Sequence, residues 1–192
     1  DLSVIEPQRN TVSSITLFFR NANNLSAAAA AIYLCFFFYD MINYQATLSS
    51  FKGDLSISRK GNIVKLEKGV KIKSGDILES KDGTCTFKYK DKTTLRLEPN
   101  SRTLISSQSS SKRVEIKKGS VYSSVTPQRP GRESVIKTIS GFAKILGTKF
   151  TITALKTSMK LDVIKGAVLL KNNTGEEAVV RDGEYAIARD NV

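Results

Sequence analysis

Short runs in which hydrophobic and polar residues alternate fill the chain from Gly53 onward. Alternation with a period of two is the pattern of a β-strand that is buried on one face. In Thr84–Lys90, for example, Cys85, Phe87 and Tyr89 share one face. The runs that predict strands in this way are Ile63–Leu66, Val70–Lys73, Thr84–Lys90, Thr94–Leu97, Val114–Lys117, Val121–Val125, Phe150–Leu155, Met159–Ile164, Val168–Lys171 and Tyr185–Ala188.

Glycine-containing segments separate these runs and predict tight turns. Asp82-Gly83, Asn173-Thr174-Gly175 and Asp182-Gly183 supply residues that tolerate positive φ where the chain reverses. The spacing of the turns is too irregular for a strict repeat. The pattern therefore predicts an all-β domain of short antiparallel strands, either a β-roll or solenoid-like fold or a sandwich. A basic residue also precedes glycine repeatedly, at Lys60-Gly61, Lys68-Gly69, Lys118-Gly119 and Lys165-Gly166.

A single hydrophobic segment precedes the predicted domain. Leu25–Tyr39 contains 15 residues without a charge. As a helix it would be about 22 Å long, between the length of a signal-peptide core and that of a membrane span. Arg20 lies just before it and the next basic residue is Lys52, which favours a cytoplasmic N-terminus. We predict a transmembrane or signal helix at 25–42, after a cytoplasmic or truncated stub at 1–24.

The alternatives for this segment concern cleavage and lipidation. The small residues of a cleavage site are not paired in Asn43–Ala46, which favours an uncleaved anchor. Leu34 is too large to precede a lipidated Cys35. A buried helix of a soluble protein is the other alternative, since no polar face recurs at helical spacing. The β domain is expected in the periplasm, anchored to the inner membrane, or secreted there if the leader is cleaved.

Composition removes most catalytic schemes. The chain has no histidine, which excludes Ser-His-Asp triads, Cys-His pairs and histidine-ligated metals. Cys85 lies on an apolar strand face and is expected to be a buried small hydrophobe. Carboxylate pairs occur at Glu176/Glu177 and Asp162/Glu184, without a recognisable nucleophile or phosphate loop. We predict no catalytic residue, no cofactor and no metal site.

The net charge of +12 suggests an anionic partner, such as nucleic acid or a membrane surface. Lysines alternate with hydrophobic residues in Val70–Lys73 and Phe87–Lys90, as they do on the solvated face of a strand. No basic helix, zinc-finger spacing or RNA-binding signature accompanies them. Nucleic acid is therefore disfavoured as a partner.

Six short motifs follow one another along the predicted domain. They are Gly75-Asp76-Ile77-Leu78-Glu79-Ser80, Phe87–Leu104, Gly119–Tyr122, Ala143 with Gly147-Thr148-Lys149-Phe150, Lys165–Val168, and Asp182-Gly183-Glu184. In this order they resemble the FecR-type periplasmic domain of bacterial iron-signalling regulators and other envelope proteins. The resemblance covers about Gly53–Ala188, which we take as the domain (53–188).

The resemblance implies that the motif residues are parts of a scaffold. Pro99 fixes φ, and Asn100 and Ser101 can bond back to the backbone, so this motif would close a corner. Gly147 would permit a tight bend, and Phe150 would begin a buried face. The scaffold residues carried over from the family are Gly75, Asp76, Asp91, Pro99, Asn100, Ser101, Gly119, Gly147, Thr148, Phe150, Gly166, Gly183 and Glu184.

Two positions depart from the family pattern: Lys92 stands where glycine is common, and Ile139 where proline is common. Transmembrane regulators of the family also carry a helical anti-sigma region before the membrane segment, and a receptor-contacting domain after the FecR-type region. In this sequence 24 residues precede the hydrophobic segment, and the last residue is Val192.

The resemblance implies a non-enzymatic envelope sensor or protein-interaction module, with transmembrane signalling to a sigma factor as its fullest form. The expected partner is another envelope protein, which a sheet edge can recruit by strand addition. The alternative is a structural domain that binds cell-wall polymer or a membrane surface, for which the positive charge is the motive.

Overall fold

The computed structural model describes residues 29–35, 45–107, 111–129, 132 and 134–189. Residues 29–35 form a short helix with exposed side chains, inside the predicted hydrophobic segment. None of the helical structure in the described ranges is long and apolar enough to cross a membrane. The rest of the predicted leader at 25–42 and the stub at 1–24 lie outside the described residues. The chain divides into two units, Asp1–Asn43 and Tyr44–Val192.

The second unit is built from strands, which confirms the predicted all-β class. Its first strand begins at Ala46, ahead of Gly53, where the resemblance to the family begins. The strands are β1 (Ala46–Lys52), β2 (Leu55–Arg59), β3 (Asn62–Val64), β4 (Lys71–Ile72), β5 (Ile77–Ser80), β6 (Thr84–Tyr89), β7 (Thr94–Leu97), β8 (Ser101–Ile105), β9 (Arg113–Ser124), β10 (Ser134–Thr138), β11 (Gly141–Ile145), β12 (Lys149–Ala154), β13 (Ser158–Lys165), β14 (Ala167–Asn172), β15 (Glu177–Arg181) and β16 (Tyr185–Arg189).

These strands form two sheets that share β9. Sheet I has the order β4-β1-β6-β7-β9-β12-β13-β16. Sheet II has the order β3-β2-β5-β8-β9-β10-β11-β14-β15. Neighbouring strands are antiparallel, except that β10 runs parallel to β9. The short antiparallel strands that the sequence predicts are thus wound into a two-sheet roll.

Strand β9 joins the two sheets because it bends at Gly119. Its first half pairs with β8 and β10 in sheet II, and its second half pairs with β7 and β12 in sheet I. Gly119 has φ +80, a conformation that glycine adopts without steric cost. The sequence predicts two strands here, Val114–Lys117 and Val121–Val125; they are one bent strand.

Corners like that at Gly119 carry the chain from one sheet to the other throughout the domain. Before β10, three corners lie on the same side as Gly119, between β1 and β2, β5 and β6, and β7 and β8, whereas the crossing from β4 to β5 lies at the other side, next to Ile105. After β10, they lie on the opposite side, since Gly119 pairs with Ala154 whereas Lys149, just after the next corner, pairs with Ser124. The second set lies between β11 and β12, β13 and β14, and β15 and β16.

One hydrophobic core lies beneath both sheets and contains inward side chains from each. Phe87 and Phe150 are its largest fully buried side chains. Burial of each such side chain contributes about 1.5–3 kcal/mol to folding. Cys85 is buried beside them, and desolvation raises the pKa of its thiol to about 12, against a lowering hydrogen bond with the Leu97 backbone. It is the inert small hydrophobe that the sequence predicts.

Candidate protein-interaction site

In the part of the chain that the structure describes, the two sheets have four edge strands, and β16 is the least protected of them. Strands β3 and β4 are only three and two residues long, and β15 carries Glu177 and Arg181. Short length and charged side chains are the usual ways in which proteins protect a sheet edge. The first four residues of β16, Tyr185–Ala188, carry no charge. Among the described residues, β16 pairs with β13 alone.

The backbone of β16 offers hydrogen-bonding groups to an additional strand. The Val163 N–H donates to the Glu184 carbonyl at 2.9 Å, at the start of the β13–β16 pairing. Because antiparallel partners bond through alternate residues, the N–H and C=O groups of Tyr185, Ile187 and Arg189 point away from β13, toward the edge. An extended peptide placed there would continue the ladder of sheet I.

The side chains of β16 also suit such a peptide. Ala186 and Ala188 face the core opposite Leu161 and Met159. On the outer face, Tyr185 is 66% exposed and Ile187 is 43% exposed. Large apolar side chains at alternate positions of an open edge provide the specificity contacts of strand addition.

At the β16 end of the domain, the inward side chains that cover the core are small. A cleft of about 140 Å³ lies between β15 and β16; Leu170, Ala178, Ala186, Ile187 and Ala188 form its apolar part, and Asn172, Glu176 and Glu177 its polar part. At the opposite end, the larger side chains of Val64, Leu66 and Val70 pack against the core. The cleft therefore places apolar surface directly beneath the open edge of β16.

Strand β16 belongs to a unit with a strong net positive charge, although Glu176 and Glu177 line the cleft beside it. Residues 45–189 contain 28 Lys and Arg but only 14 Asp and Glu, a net charge of +14. Next to β16, Lys160 lies over the Tyr185 ring, 5.3 Å from its centroid, and also pairs with Asp162 at 2.6 Å. Arg189 ends the strand. The net charge of the unit favours a partner segment with acidic residues.

Of the scaffold residues predicted from the family, Gly75 and Asp76 precede β5 in a turn, and Asp76 is completely buried. Both carboxylate oxygens of Asp76 accept hydrogen bonds from Arg59, each at 2.8 Å. The Lys73 N–H donates to the same carboxylate at 2.8 Å, and the Arg59 guanidinium also donates to the Lys71 carbonyl at 2.7 Å. Asp76 thus fixes the crossing from β4 to β5, with Arg59 as a partner that the sequence did not predict.

Asp91 joins three segments of the chain by hydrogen bonds and an ion pair. It lies on the side of the domain where the second corner set is found. The Lys112 ammonium pairs with it at 2.5 Å, the Gln128 amide donates to it at 2.8 Å, and the Thr93 N–H donates at 3.1 Å. Partial burial acts to raise the pKa of Asp91, but these donors outweigh it and the pKa is lowered. In the same turn, Lys92 has φ +71, which explains why the family commonly has glycine there.

We expect Asp91→Asn to lower the free energy of unfolding by about 1 kcal/mol at pH 7, since the carboxylate is partly exposed and screened. A carboxyl whose pKa is lower in the folded state stabilises the fold above its unfolded pKa of about 4, and the stabilisation is lost as the pH falls through the folded pKa. Urea unfolding of wild type and variant should therefore differ at pH 7 and converge near pH 2. Glu177→Gln, at a half-exposed carboxylate that pairs, among the described residues, with Lys171 alone, is the control and should change stability less than Asp91→Asn does at pH 7. A difference for Asp91→Asn that persists undiminished at low pH would contradict this role.

Pro99, Asn100 and Ser101 lie at the corner between β7 and β8. Asn100 has φ +55, and its N–H donates to the Lys81 carbonyl at 2.8 Å. The Ser101 hydroxyl accepts from the Ser120 N–H at 2.8 Å and so ties this corner to the bend at Gly119.

The remaining scaffold residues lie along the second corner set. The Thr148 hydroxyl donates to the Ala167 carbonyl at 2.8 Å, and Gly147 and Gly166 lie in the two corners thus joined. The Arg181 N–H donates to the Glu184 carboxylate at 2.8 Å, across the corner that contains Gly183. Phe150 is fully buried at the start of β12. The predicted residues therefore lie at corners and in the core, and only Gly183 and Glu184 adjoin β16.

The carboxylate pairs singled out in the sequence are not brought together as a catalytic site. Asp162 pairs with Lys160, and Glu184 caps the Arg181 N–H. Glu177 pairs with Lys171 at 2.8 Å, and Glu176 accepts from the Asn172 amide at 2.7 Å. Within the described part of the chain, no group of three or more Cys, Asp or Glu side chains is placed to hold a metal ion.

Comparison with known proteins identifies the domain. Two solved structures of a proposed anti-sigma factor from Parabacteroides distasonis have similar folds. One has a TM-score of 0.53 and 18% identity over 60% of this chain and 55% of that chain. The other has a TM-score of 0.52 and 18% identity over 59% of this chain and 54% of that chain. This chain thus spans little more than half the length of those proteins, and at this identity the likeness concerns the fold.

A search of curated proteins gave no match. Residues 76–169, which run from the buried Asp76 into β14, match the family model described as FecR protein. The corner motifs predicted from the sequence lie largely within this range. The chain therefore belongs to the FecR family.

Proposed function

We propose that this FecR-family domain is a non-enzymatic interaction module of the bacterial envelope, which captures an extended segment of another protein along β16. The observation that carries the proposal is the uncharged open edge of β16, with exposed Tyr185 and Ile187 above an apolar cleft. This edge lies outside the residues that match the family model. The β16 edge is thus a binding surface of this chain, held in place by the scaffold that the family shares.

In the cell we propose that the module works in signalling linked to a sigma factor. The FecR family match and the fold shared with a proposed anti-sigma factor support this role. We further propose that the domain is periplasmic, either anchored to the inner membrane through 25–42 or secreted if that leader is cleaved. The uncharged run Leu25–Tyr39 and the family resemblance support this placement.

The partner is a different, acidic protein segment and not a second copy of this chain. Pairing two β16 edges would bring together two domains that each carry a net charge of +14. Two domains of like charge repel each other when they are in contact, whereas an acidic strand would be attracted. The proposed partner is therefore an envelope protein with an exposed, extended acidic segment.

A photo-crosslinking amino acid at position 187, introduced in cells that make the full chain, tests this proposal. We expect one envelope protein to be crosslinked through a single segment located outside the cytoplasm. The same amino acid at position 63, where Ile63 is 72% exposed on the edge strand β3, is the matched control and should not crosslink that segment. Equal crosslinking from both positions, or a cytoplasmic partner, would contradict the proposed edge or its placement.

The crosslinked segment, made as a synthetic peptide, then allows a binding measurement. We expect Ile187→Lys to weaken peptide binding at least tenfold, because it places a charge on the outer face of the docking edge. Ile63→Lys makes the same chemical change on β3 and should leave the affinity unchanged. Loss of affinity in both variants, or in neither, would show that β16 is not the docking strand.

A further inference from the structure

A basic pocket lies on sheet I near the beginning of β1, far along the sheet from β16. It has a volume of about 390 Å³. None of the described residues that line it is acidic. The lining residues are Thr47, Leu48, Ser49, Lys68, Gly69, Lys88, Tyr89 and Lys90.

Local pairing builds the pocket from three segments. In the β1–β6 ladder, Thr47 lies opposite Lys88, and the register shifts between Leu48 and Ser50. The next segment pairs with β1 through hydrogen bonds from the Leu48 N–H to the Val70 carbonyl and from the Gly69 N–H to the Leu48 carbonyl, both 2.8 Å. A bulged strand flanked by a turn leaves a concave surface instead of a flat sheet face.

The turn that presents Lys68 is tightly defined. The Val70 N–H donates to the Glu67 carbonyl at 3.1 Å, and Gly69 has φ +95, as a turn with a left-handed third residue requires. The nearby Glu67 carboxylate pairs with Lys65 at 2.5 Å. Lys68 therefore projects at the pocket from an ordered turn, with the adjacent acid already paired.

Two of the three lysines that line the pocket are not neutralised within the described part of the protein. Elsewhere on the sheets, acidic side chains pair with nearby lysines or arginines, as in Arg96–Glu98 and Lys117–Glu115. Lys68 and Lys88 form no such ion pair with any described residue. Two ammonium groups in one concavity attract an anion more strongly than isolated surface lysines do.

We propose that this pocket binds an anionic sugar unit of a cell-envelope glycan, one that carries a phosphate or a carboxylate. Lys68 and Lys88 take the anionic group, and the Thr47 hydroxyl is placed to bond a sugar hydroxyl. The volume lies within the range of small-ligand sites and exceeds what an isolated phosphate fills. The glycan would hold the domain at the polymer while β16 remains open.

The pocket suits a glycan better than a membrane surface. Membrane-binding surfaces combine basic residues with protruding apolar side chains that enter the lipid. Of the two large apolar residues that line the pocket, Leu48 and Tyr89 are both buried. The exposed lining consists of lysines and hydroxyl-bearing residues.

Binding of the full chain to three probes tests the proposal: polyribitol phosphate, polygalacturonate, and phosphatidylglycerol vesicles, each at low and physiological salt. We expect wild type to bind both anionic polymers, and Lys68→Gln/Lys88→Gln to bind them at least tenfold more weakly. Lys137→Gln/Lys156→Gln removes the same charge from exposed positions away from the pocket and should change affinity less than twofold.

Equal weakening by the two double variants would overturn the pocket and indicate general charge attraction. Binding to vesicles but to neither polymer would overturn the glycan in favour of lipid headgroups. The outcome is independent of the proposed strand addition: Ile187→Lys should bind both polymers as wild type does, and Lys68→Gln/Lys88→Gln should bind the partner peptide normally.

Discussion

Asp76→Ala is expected to lower the free energy of unfolding by about 3–5 kcal/mol, because it removes one partner of a buried, hydrogen-bonded ion pair. The wild-type carboxylate is completely buried and accepts two hydrogen bonds from Arg59 and one from the Lys73 backbone. Its own backbone carbonyl also accepts from the Ile105 N–H at 2.9 Å, so the turn lies against β8. Without the carboxylate, these donors lose their acceptor where water has little access.

Urea unfolding of Asp76→Ala and Glu79→Ala provides the measurement and its control. Glu79 lies on β5, three residues further along, and its carboxylate is half exposed at 3.8 Å from Arg102. Exposed ion pairs of this kind contribute less than about 1 kcal/mol. Similar destabilisation by both variants would show that burial of the Asp76 carboxylate does not increase its contribution to the free energy of unfolding.

Gly119→Ala is expected to destabilise the domain by about 3 kcal/mol or more, from two independent causes. A residue with a Cβ pays about 1–2 kcal/mol to adopt φ +80. The added Cβ would also lie 2.6 Å from the Asn100 carbonyl oxygen and the Ser101 Cα, which belong to a neighbouring corner. Backbone atoms cannot move away without displacing the strands that they join, so the overlap adds its own cost.

Gly61→Ala is the control that separates the cost of the positive φ from the cost of the steric overlap. Gly61 has φ +83, almost the same as Gly119, but no atom lies within 4 Å of the position that its Cβ would take. We expect this control to lose only about 1–2 kcal/mol, the conformational part. If thermal or urea unfolding showed equal losses for the two variants, the close stacking of the corners would not matter to stability.

The fold class was predictable because several strands alternate large apolar and polar side chains, as Thr84–Tyr89 does. The predicted runs do not include β1, β2, β5, β8, β10, β11 or β15. In β8, β10 and β11 the reason is that the inward side chains include hydroxyls and small residues. Ser101, Thr103 and Thr138 are all buried. Thr138 shows how this is possible, since its hydroxyl accepts from the Ser140 N–H at 3.2 Å inside the core. Strands of this kind have no hydrophobic alternation for a pattern to detect.

Contacts between segments that are far apart in the chain could also not be predicted from the sequence. The family motif marks Asp76 but not Arg59, because the two meet only when Ser58 pairs with Ile77 in the β2–β5 ladder. The strand Tyr185–Ala188 was predicted, but its place at a sheet edge was not. That place depends on the order of all the strands in sheet I, which turn spacing alone does not determine.

The most direct test of strand addition is backbone hydrogen exchange of the full chain, with and without the partner peptide identified by crosslinking at position 187. If the peptide extends sheet I, exchange of the outward amides of Ile187 and Arg189 slows on binding, and that of Ile63 on β3 does not change. Saturation with bound peptide and no change in exchange along Tyr185–Arg189 would contradict the proposal that β16 is the docking strand.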